Sequence, residues 1–504
     1  MRNVLLTCLF LTISLKSLCQ GLNHTWLLSY HYSPTSVEAR INFTNNSDTL
    51  ITEQRLMPFN STQGNISDVN GNFLMSSNGV WIANANNDTM LNGSGLNPNS
   101  FTSGATTYGL PLPNGNVFLP WPDDTTKFIL FHQTGNYVNN IPTISSEVYY
   151  SVIDMTHDGG LGEVVQKNVV AYNDSIGWGL GACKHANGRD WWVVALSKNA
   201  DSVLTFLLTA SGVQFIGKQN LFVPAYPEWV GQPVFSPDGN KFSYSHGYTL
   251  NGGIYWYHDV RLFDFDRCTG IFSNPLVVDL SDGVFGFGVA FSPNSKYLYA
   301  CSFLTIFQLN TDTSNIPASL QVVALNDSFY SPFPPFLTDF WLMYLAANGK
   351  IYLTSGNGVL DLHFINNPDS GGIACDVHQH DIHLPCFNFR TVPNHPNYYL
   401  GCDTAGGCPC LTGIDNLTQH DFRFRIYPNP VINNILNIGY QLPQNKSGLF
   451  QIFDITGKVV FKYVLSQWSN EQSFKLPELS DGVYNCVITS AGERVSKKLL
   501  VFNE

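Results

Sequence analysis

The chain has 504 residues, of which 12% are charged and 13% aromatic, with 42 glycines and 27 prolines. No long helical pattern runs through it, and the composition fits many short strands joined by tight turns, in a chain long enough for two to four domains. A net charge of -12 argues against a general nucleic-acid binder, which needs clustered Lys and Arg to neutralise phosphates.

At the N-terminus Arg2 precedes an apolar run from Val4 to Leu15, and Ser17 and Cys19 are small residues at the spacing of an export-signal cut. Residues 1–19 are therefore expected to be a signal peptide, cleaved before Gln20. The rival is a lipoprotein signal acylated on Cys19, against which Leu18 stands where Gly, Ala or Ser is wanted. The run is shorter than the roughly 20 apolar residues of a membrane helix, so no transmembrane segment is expected and the mature protein should be soluble. Without Cys8 and Cys19 the 11 cysteines fall to nine, an odd number for an oxidising periplasm. Buried thiols are expected for Cys183, Cys268, Cys301 and Cys486. The cluster Cys375, Cys386, Cys402, Cys408 and Cys410 is expected to form disulfides whose pairing spacing does not decide.

Three short apolar runs, Trp26–Leu28, Ala39–Phe43 and Leu50–Leu56, predict strands. A repeat comes next, in which an Asn/Asp-Gly type of turn precedes an apolar strand. Its anchors are Asn70, Asp124, Asn187, Asp238, Asn294 and Asn348, 51 to 63 residues apart, a spacing that suits four-stranded propeller blades. The clearest copies are Ser236-Pro237-Asp238-Gly239 before Phe242 and Tyr244, and Ser292-Pro293-Asn294-Ser295 before Tyr297 and Tyr299. The Ser-Pro-Asp-Gly form resembles the WD40-like repeat of bacterial β-propellers, in which the strand after the turn runs near the central channel. Six anchors imply six blades. Strands before Asn70, paired with those after Leu384, would close the ring as a seventh, and seven is the expectation. Residues 391–401, Thr391-Val392-Pro393-Asn394-His395-Pro396-Asn397-Tyr398-Tyr399-Leu400-Gly401, are similar to a final-blade element of secreted propellers.

The expected organisation is all-β: a propeller over 20–401, a Gly- and Cys-rich linker over 402–420, and a small β-sandwich over 421–504. That last stretch carries Tyr427-Pro428-Asn429-Pro430, then Asp454 with Gly457-Lys458, then Gly482 with Tyr484, and finishes near Lys497-Lys498. It resembles the C-terminal sorting domain of type IX (Por) secretion cargo. The resemblance implies recognition by the outer-membrane translocon and removal by a sortase-like peptidase, hence a secreted or cell-surface protein.

Active-site constellations are sparse. His378 and His380, with Asp376 beside them, would share one face of a strand and could hold a metal; the spacing matches no metal motif, and a water-facing strand explains it. Cys408-Pro409-Cys410 lacks the two-residue spacer of thioredoxin-like redox pairs, so structural disulfides are preferred. Trp191-Trp192 and Trp256 with Tyr255 and Tyr257 could stack sugars, but blades use such residues as core. Asp264 and Asp266 alternate on a strand face and would serve glycosidase chemistry only if carboxylates met across the channel, and Asp123, Asp124 and Asp312 fit turns. Asn92-Gly93-Ser94-Gly95 is a turn rather than a nucleophile elbow. No catalytic residue, cofactor or metal is expected. The expected function is a non-enzymatic binding or adhesion protein for an extracellular glycan or protein; the alternative is a hydrolase or lyase acting on polysaccharide within the channel.

Overall fold

The computed structural model describes residues 21–30, 37–44, 47–138, 141–226, 231–250, 255–280, 283–332, 335–403, 407–410, 424–432, 434–440, 442, 446–465 and 471–502. The export signal and most of the expected linker lie outside them. Among the described residues the chain is almost wholly strand, and no helix is long and apolar enough to cross a membrane.

Seven antiparallel meanders follow one another as the blades of a β-propeller. Blade 1 has three strands, Thr25–Leu28, Glu38–Thr44 and Ser47–Glu53. Blade 2 runs from Gly64–Ser67 to Thr89–Ser94. Blade 3 starts at Asn116–Pro120 and ends in the first half of Glu163–Lys184, whose second half opens blade 4. Blade 4 ends at Gly212–Asn220. Blades 5, 6 and 7 begin with Val234–Phe235, Gly286–Phe291 and Met343–Leu345 and end with Ile271–Asp279, Gln321–Leu325 and Val377–Asn388. The first strands of blades 1 to 6 each neighbour the next around the ring, and blade 7 meets blade 1 through its outermost strand.

The anchor turns repeat one hydrogen-bonding pattern. In blade 5 Ser236 N donates to Lys241 O and Gly239 N to Ser236 O, while the Asp238 carboxylate accepts from Asn240 N. Gly239 sits at φ +76°, where a Cβ would be strained. Blade 6 repeats this with Ser295 at φ +62° and Asn294 accepting from Lys296 N. These turns join the innermost strand to the second, so the strand after the turn is not the one beside the channel: Val234–Phe235 takes that place and Lys241–Leu250 lies one step out. Strands in mid-blade are covered on both faces by neighbouring blades, which is why Trp191–Ser197 is buried at all seven residues.

Ring closure differs from expectation. The three strands between Thr25 and Glu53 make a blade of their own, with no ladder to the end of the propeller among the described residues, and Gly64–Ser67 opens blade 2. Blade 1 instead packs its face on blade 7, with Trp26, beside Phe43 of its own blade at 4.9 Å, against Tyr344 and Tyr352 at 6.4 and 5.3 Å. Its inner edge is satisfied by side chains of blade 2: Asn65 Nδ2 donates to Thr25 O at 2.7 Å and Gln63 Nε2 to Leu27 O.

The last seven strands, from Phe424–Ile432 to Glu493–Val501, form a sandwich around Leu436, Ile438, Phe450, Ile452, Cys486, Ile488 and Leu499. Phe424–Ile432 pairs with Ile435–Tyr440 at one end and, in parallel, with the last strand at Val431 and Val501 at the other. It changes sheets at Pro428–Pro430, because neither proline has an N–H to give to a ladder.

Candidate functional sites: the channel, its open mouth and the tail

After blade 7 the chain does not return to a strand. Residues 391–401 cross one end of the channel as a strap. Asn394 Nδ2 donates to Leu180 O of blade 4 and His395 Nε2 to Asn65 O of blade 2, both at 2.7 Å. Asn397 Nδ2 donates to Pro237 O of blade 5 at 2.7 Å, Tyr398 OH to Phe118 O of blade 3 at 2.9 Å, and Tyr399 OH to Asn23 Oδ1 at 3.0 Å. Beyond the strap, Arg267 gathers the carbonyls of Lys184, His185 and Gly401 at 2.9, 3.3 and 2.6 Å. Disulfide Cys268–Cys408 fastens the chain after Gly401 to blade 5, and Cys402–Cys410 closes a short loop within that chain. Cys268 is thus bridged rather than a buried thiol, because the turn that carries it meets the returning chain. Cys375 and Cys386, expected in bridges, remain buried thiols along with Cys183, Cys301 and Cys486. The two cysteines of Cys408-Pro409-Cys410 have separate partners.

Above the strap the channel is spanned by polar side chains. Gln232, entering blade 5, donates Nε2 to Met343 O at 2.7 Å and accepts from Met343 N at 3.1 Å, reaching blade 7. Tyr344 OH of blade 7 donates to Asn114 Oδ1, just before blade 3, at 2.7 Å. The space left between these bonds and the strap is a void of about 70 Å³, room for a few waters and too small for a sugar ring. Its titratable neighbours among the described residues are Cys183, His395 and Tyr344, with no carboxylate. Burial pushes the Cys183 thiol up to about 12 and His395 down to about 4.

The opposite end is built differently. Trp341 stands just before the inner strand of blade 7, packed on Phe287 and Phe303 at 4.5 and 5.3 Å. A Cβ on Gly356 would come within 2.7 Å of its ring, so only glycine lets this loop pass. The Arg390 guanidinium lies 4.9 Å from the Trp341 ring centre and 4.5 Å from that of Phe389, which stacks on Tyr30 at 4.7 Å. Arg390 donates Nε to Gly356 O at 3.2 Å, and neither terminal nitrogen donates to a described residue. Asp339 nearby is engaged by Ser355 Oγ and Gly356 N, and burial raises its carboxyl. Two buried donors here lack acceptors among the described residues: Trp341 Nε1 and Asn114 Nδ2. Both residues border a second void of about 10 Å³.

The His-rich strand of blade 7 does not converge. His380 sits at φ +44° in a break of register, so the alternation that would align it with His378 is lost. His378 stacks on Phe364 and pairs with Asp381 and Asp376 at 2.7 and 3.2 Å; the Asp381 bond first, and Asp376 with it, holds its imidazolium above the ordinary value. His380 stacks on Phe329 and pairs with Asp327 at 2.8 Å. Asp264 accepts from Asn274, and Asp266 caps the turn at Cys268 and Thr269, on the third strand of blade 5 away from the channel. Trp191 and Trp192 are core; the side chains of Tyr255 and Trp256 lie outside the described residues. A buried cluster that sequence reasoning missed, His246, Asp259 and Arg261, is fully engaged: Arg261 bonds Asp259 at 2.9 and 3.3 Å, Ala200 O at 2.8 Å and His246 at 2.8 Å, tying blade 5 to blade 4.

In the tail, Asn429 Nδ2 donates to Lys498 O and Asn429 Oδ1 accepts from Leu500 N, both at 2.8 Å, so its amide replaces the ladder bonds the flanking prolines cannot make. Gly482 and Tyr484 pair with Val501 and Leu499 of the last strand, leaving Lys497 and Lys498 exposed. Tyr484 OH donates to Ser480 O at 2.8 Å. Asp454 closes its hairpin by accepting from Thr456 and Lys458 N, which holds its carboxyl below the ordinary value, and Gly457 turns at φ +85°. Tyr427 pairs with Asn437 on the other sheet.

Residues 425–502 match the family model of the secretion system C-terminal sorting domain. No curated protein matches the chain. Among solved structures, the periplasmic gluconolactonase of Pseudomonas aeruginosa is similar at 13% identity and a TM-score of 0.36, covering 74% of this chain and 100% of its own. A Lactobacillus plantarum protein is similar at 11% and 0.35, covering 90% and 99%. At that distance neither likeness bears on what the chain does. The tail is a type IX sorting domain, and the propeller ahead of it is exported across the outer membrane to the cell surface or beyond.

Proposed function

We propose that the chain is a non-enzymatic binding protein, delivered outside the cell and contacting a glycan or protein through the propeller face opposite the strap. The observation that carries this is the contrast between the two ends of the channel. One is crossed by residues 391–401 and leaves a small void with no carboxylate among the described residues that line it, which gives paired-carboxylate hydrolysis little support there. The other presents donors without acceptors beside aromatic faces, the composition of a recognition surface. In this reading residues 1–19 are a cleaved signal, 20–401 the binding propeller, 402–420 the linker and 421–504 the sorting domain. The translocon reads the last strand with Lys497 and Lys498 exposed, and a sortase-like peptidase removes the tail.

The test is to screen the full chain on glycan and surface-protein arrays alongside assays for polysaccharide and peptide turnover. Binding without turnover is expected; silence on the arrays with measurable turnover would overturn the reading. Deleting residues 421–504 should leave the product in the periplasm.

A further inference from the structure

Arg55, Arg261 and Arg267 are buried among the described residues of this propeller and donate through terminal nitrogens to backbone, a carboxylate or a histidine, although Arg55 Nε and Arg267 Nη1 find no acceptor among the described residues. Arg261 binds a carboxylate, a histidine and a carbonyl, and Arg267 binds three carbonyls. Arg390 stacks on Trp341 and Phe389 but engages only its Nε, leaving a planar fork of donors at the channel mouth. A guanidinium held flat by stacking with its fork open is preorganised for two oxygens of one carboxylate. In a chain of net charge -12 it is not part of a general anion-binding surface.

We propose that the mouth is a subsite for a carboxylate-bearing saccharide: Arg390, held on the Tyr30–Phe389 stack, takes the carboxylate, and Trp341 Nε1 and Asn114 Nδ2 donate to the sugar's oxygens. The inference rests on the binding reading above and names its ligand class. The two buried donors independently call for oxygen acceptors, since an orphaned N–H is costly to bury. Trp341 is 8% exposed and Asn114 1%, so water reaches neither freely. The void they border, about 10 Å³, admits a single oxygen, as a hydroxyl or carboxylate would supply. A peptide carboxylate fits less well. It would bring N–H groups of its own to a site whose open groups are mostly donors, and Asp339, the nearby acceptor, already gives its Oδ1 to Ser355 and Gly356. Sugar hydroxyls accept as well as donate. Burial lowers the Arg390 guanidinium from its ordinary value, with Asp339 and Tyr30 acting the other way.

The experiment is calorimetric titration of the full chain with a galacturonate trisaccharide, the matching neutral galactose trisaccharide and an acidic tripeptide. The wild type should bind the uronate and neither of the others. Arg390→Gln should weaken that binding about tenfold or more, the loss of a charge-assisted pair. Trp341→Phe, which keeps the ring and removes the N–H, should weaken it severalfold while preserving the thermal transition. Equal binding of the neutral sugar, preference for the peptide, or an Arg390→Gln variant that folds and binds as well as wild type would each overturn the subsite. If the uronate fails while another array ligand binds and Tyr30→Ala abolishes it, this inference falls and the binding reading stands. If nothing binds and polysaccharide is turned over, both fall.

Discussion

The two ends of the propeller channel hold the same kinds of residue in different states. At the strap end, Asn394, His395, Asn397 and Tyr398 each donate to an inner-blade or turn carbonyl, and Arg267 and two disulfides secure the chain just beyond them, although Arg267 Nη1 and His395 Nδ1 find no partner among the described residues. At the mouth, Trp341, Asn114 and Arg390 keep donors in hand. Polar groups in a protein interior are normally paired because desolvation without a bond is expensive. The difference therefore marks one end as fastening and the other as a surface that trades stability for something outside the chain.

The sharpest way to break this comparison is to cut the fastening. Cys268→Ser with Cys408→Ser opens a loop of 140 residues, and the chain-entropy model puts the loss at about 5 kcal/mol. Opening Cys402–Cys410, eight residues apart, should lose about half as much. Denaturant titration of the two variants under oxidising conditions reads the difference, and equal losses would mean that the strap end is not held through blade 5.

Next in size is the strap itself. Tyr398 packs at 5.9 Å from Trp191 and donates to Phe118 O, so Tyr398→Ala removes a buried ring and orphans a carbonyl. A loss of about 3–5 kcal/mol is expected from urea unfolding. A loss under about 1 kcal/mol would show residues 391–401 to be an ornament rather than the closure of the ring.

How much of this was legible beforehand depended on whether the residues act on their neighbours in sequence. The anchor turns were readable because Pro237, Asp238 and Gly239 do their work within six residues. The tail was readable because Asn429, Asp454 and Gly457 must satisfy local backbone geometry. The strap was visible as a run of Pro, Asn and Tyr similar to a final-blade element, and its crossing of the channel was not, since its partners Asn65, Phe118, Leu180 and Pro237 come from four different blades. Cys268 was misassigned for the same reason: its partner lies 140 residues away. The alignment of His378 and His380 failed at a single residue, His380 at φ +44°, because strand alternation is lost wherever one residue bulges. The mouth left no sequence signal, as Tyr30, Asn114, Trp341 and Arg390 share no spacing.

Acid should destabilise the fold through three buried histidines, of which His395 lies in the strap and His363 packs on Phe340 beside the mouth. Burial lowers His132 to about 3 and His363 and His395 to about 4, whereas an unfolded histidine titrates near 6.5. Below about pH 6.5 the unfolded chain takes up protons that the folded one refuses, so stability is intact above that pH and falls toward pH 4. Each of the three histidines contributes about 1.4 kcal/mol per pH unit in that window. His378 has the opposite sign, its raised value giving stability below 6.5 that is lost as pH rises. Calorimetric melts at pH 7, 6, 5 and 4 should show the decline, and His395→Phe should flatten it by one histidine's share.

The smallest effect is expected at Arg390, and its smallness is the point. Arg390→Met gives up one bond to Gly356 O and the stacking of a cation, but it also relieves a desolvated charge whose terminal nitrogens have no acceptor among the described residues. These terms oppose each other, and unfolding free energy should stay within about 1 kcal/mol of wild type. Arg267→Met at the other end leaves three carbonyls without their donor and should lose about 2–3 kcal/mol. A buried and a half-buried arginine exchanged for the same residue would then differ because one completes the fold and the other awaits a ligand; equal losses from the pair, read by urea unfolding, would place Arg390 among the fastenings and remove the distinction between the two ends.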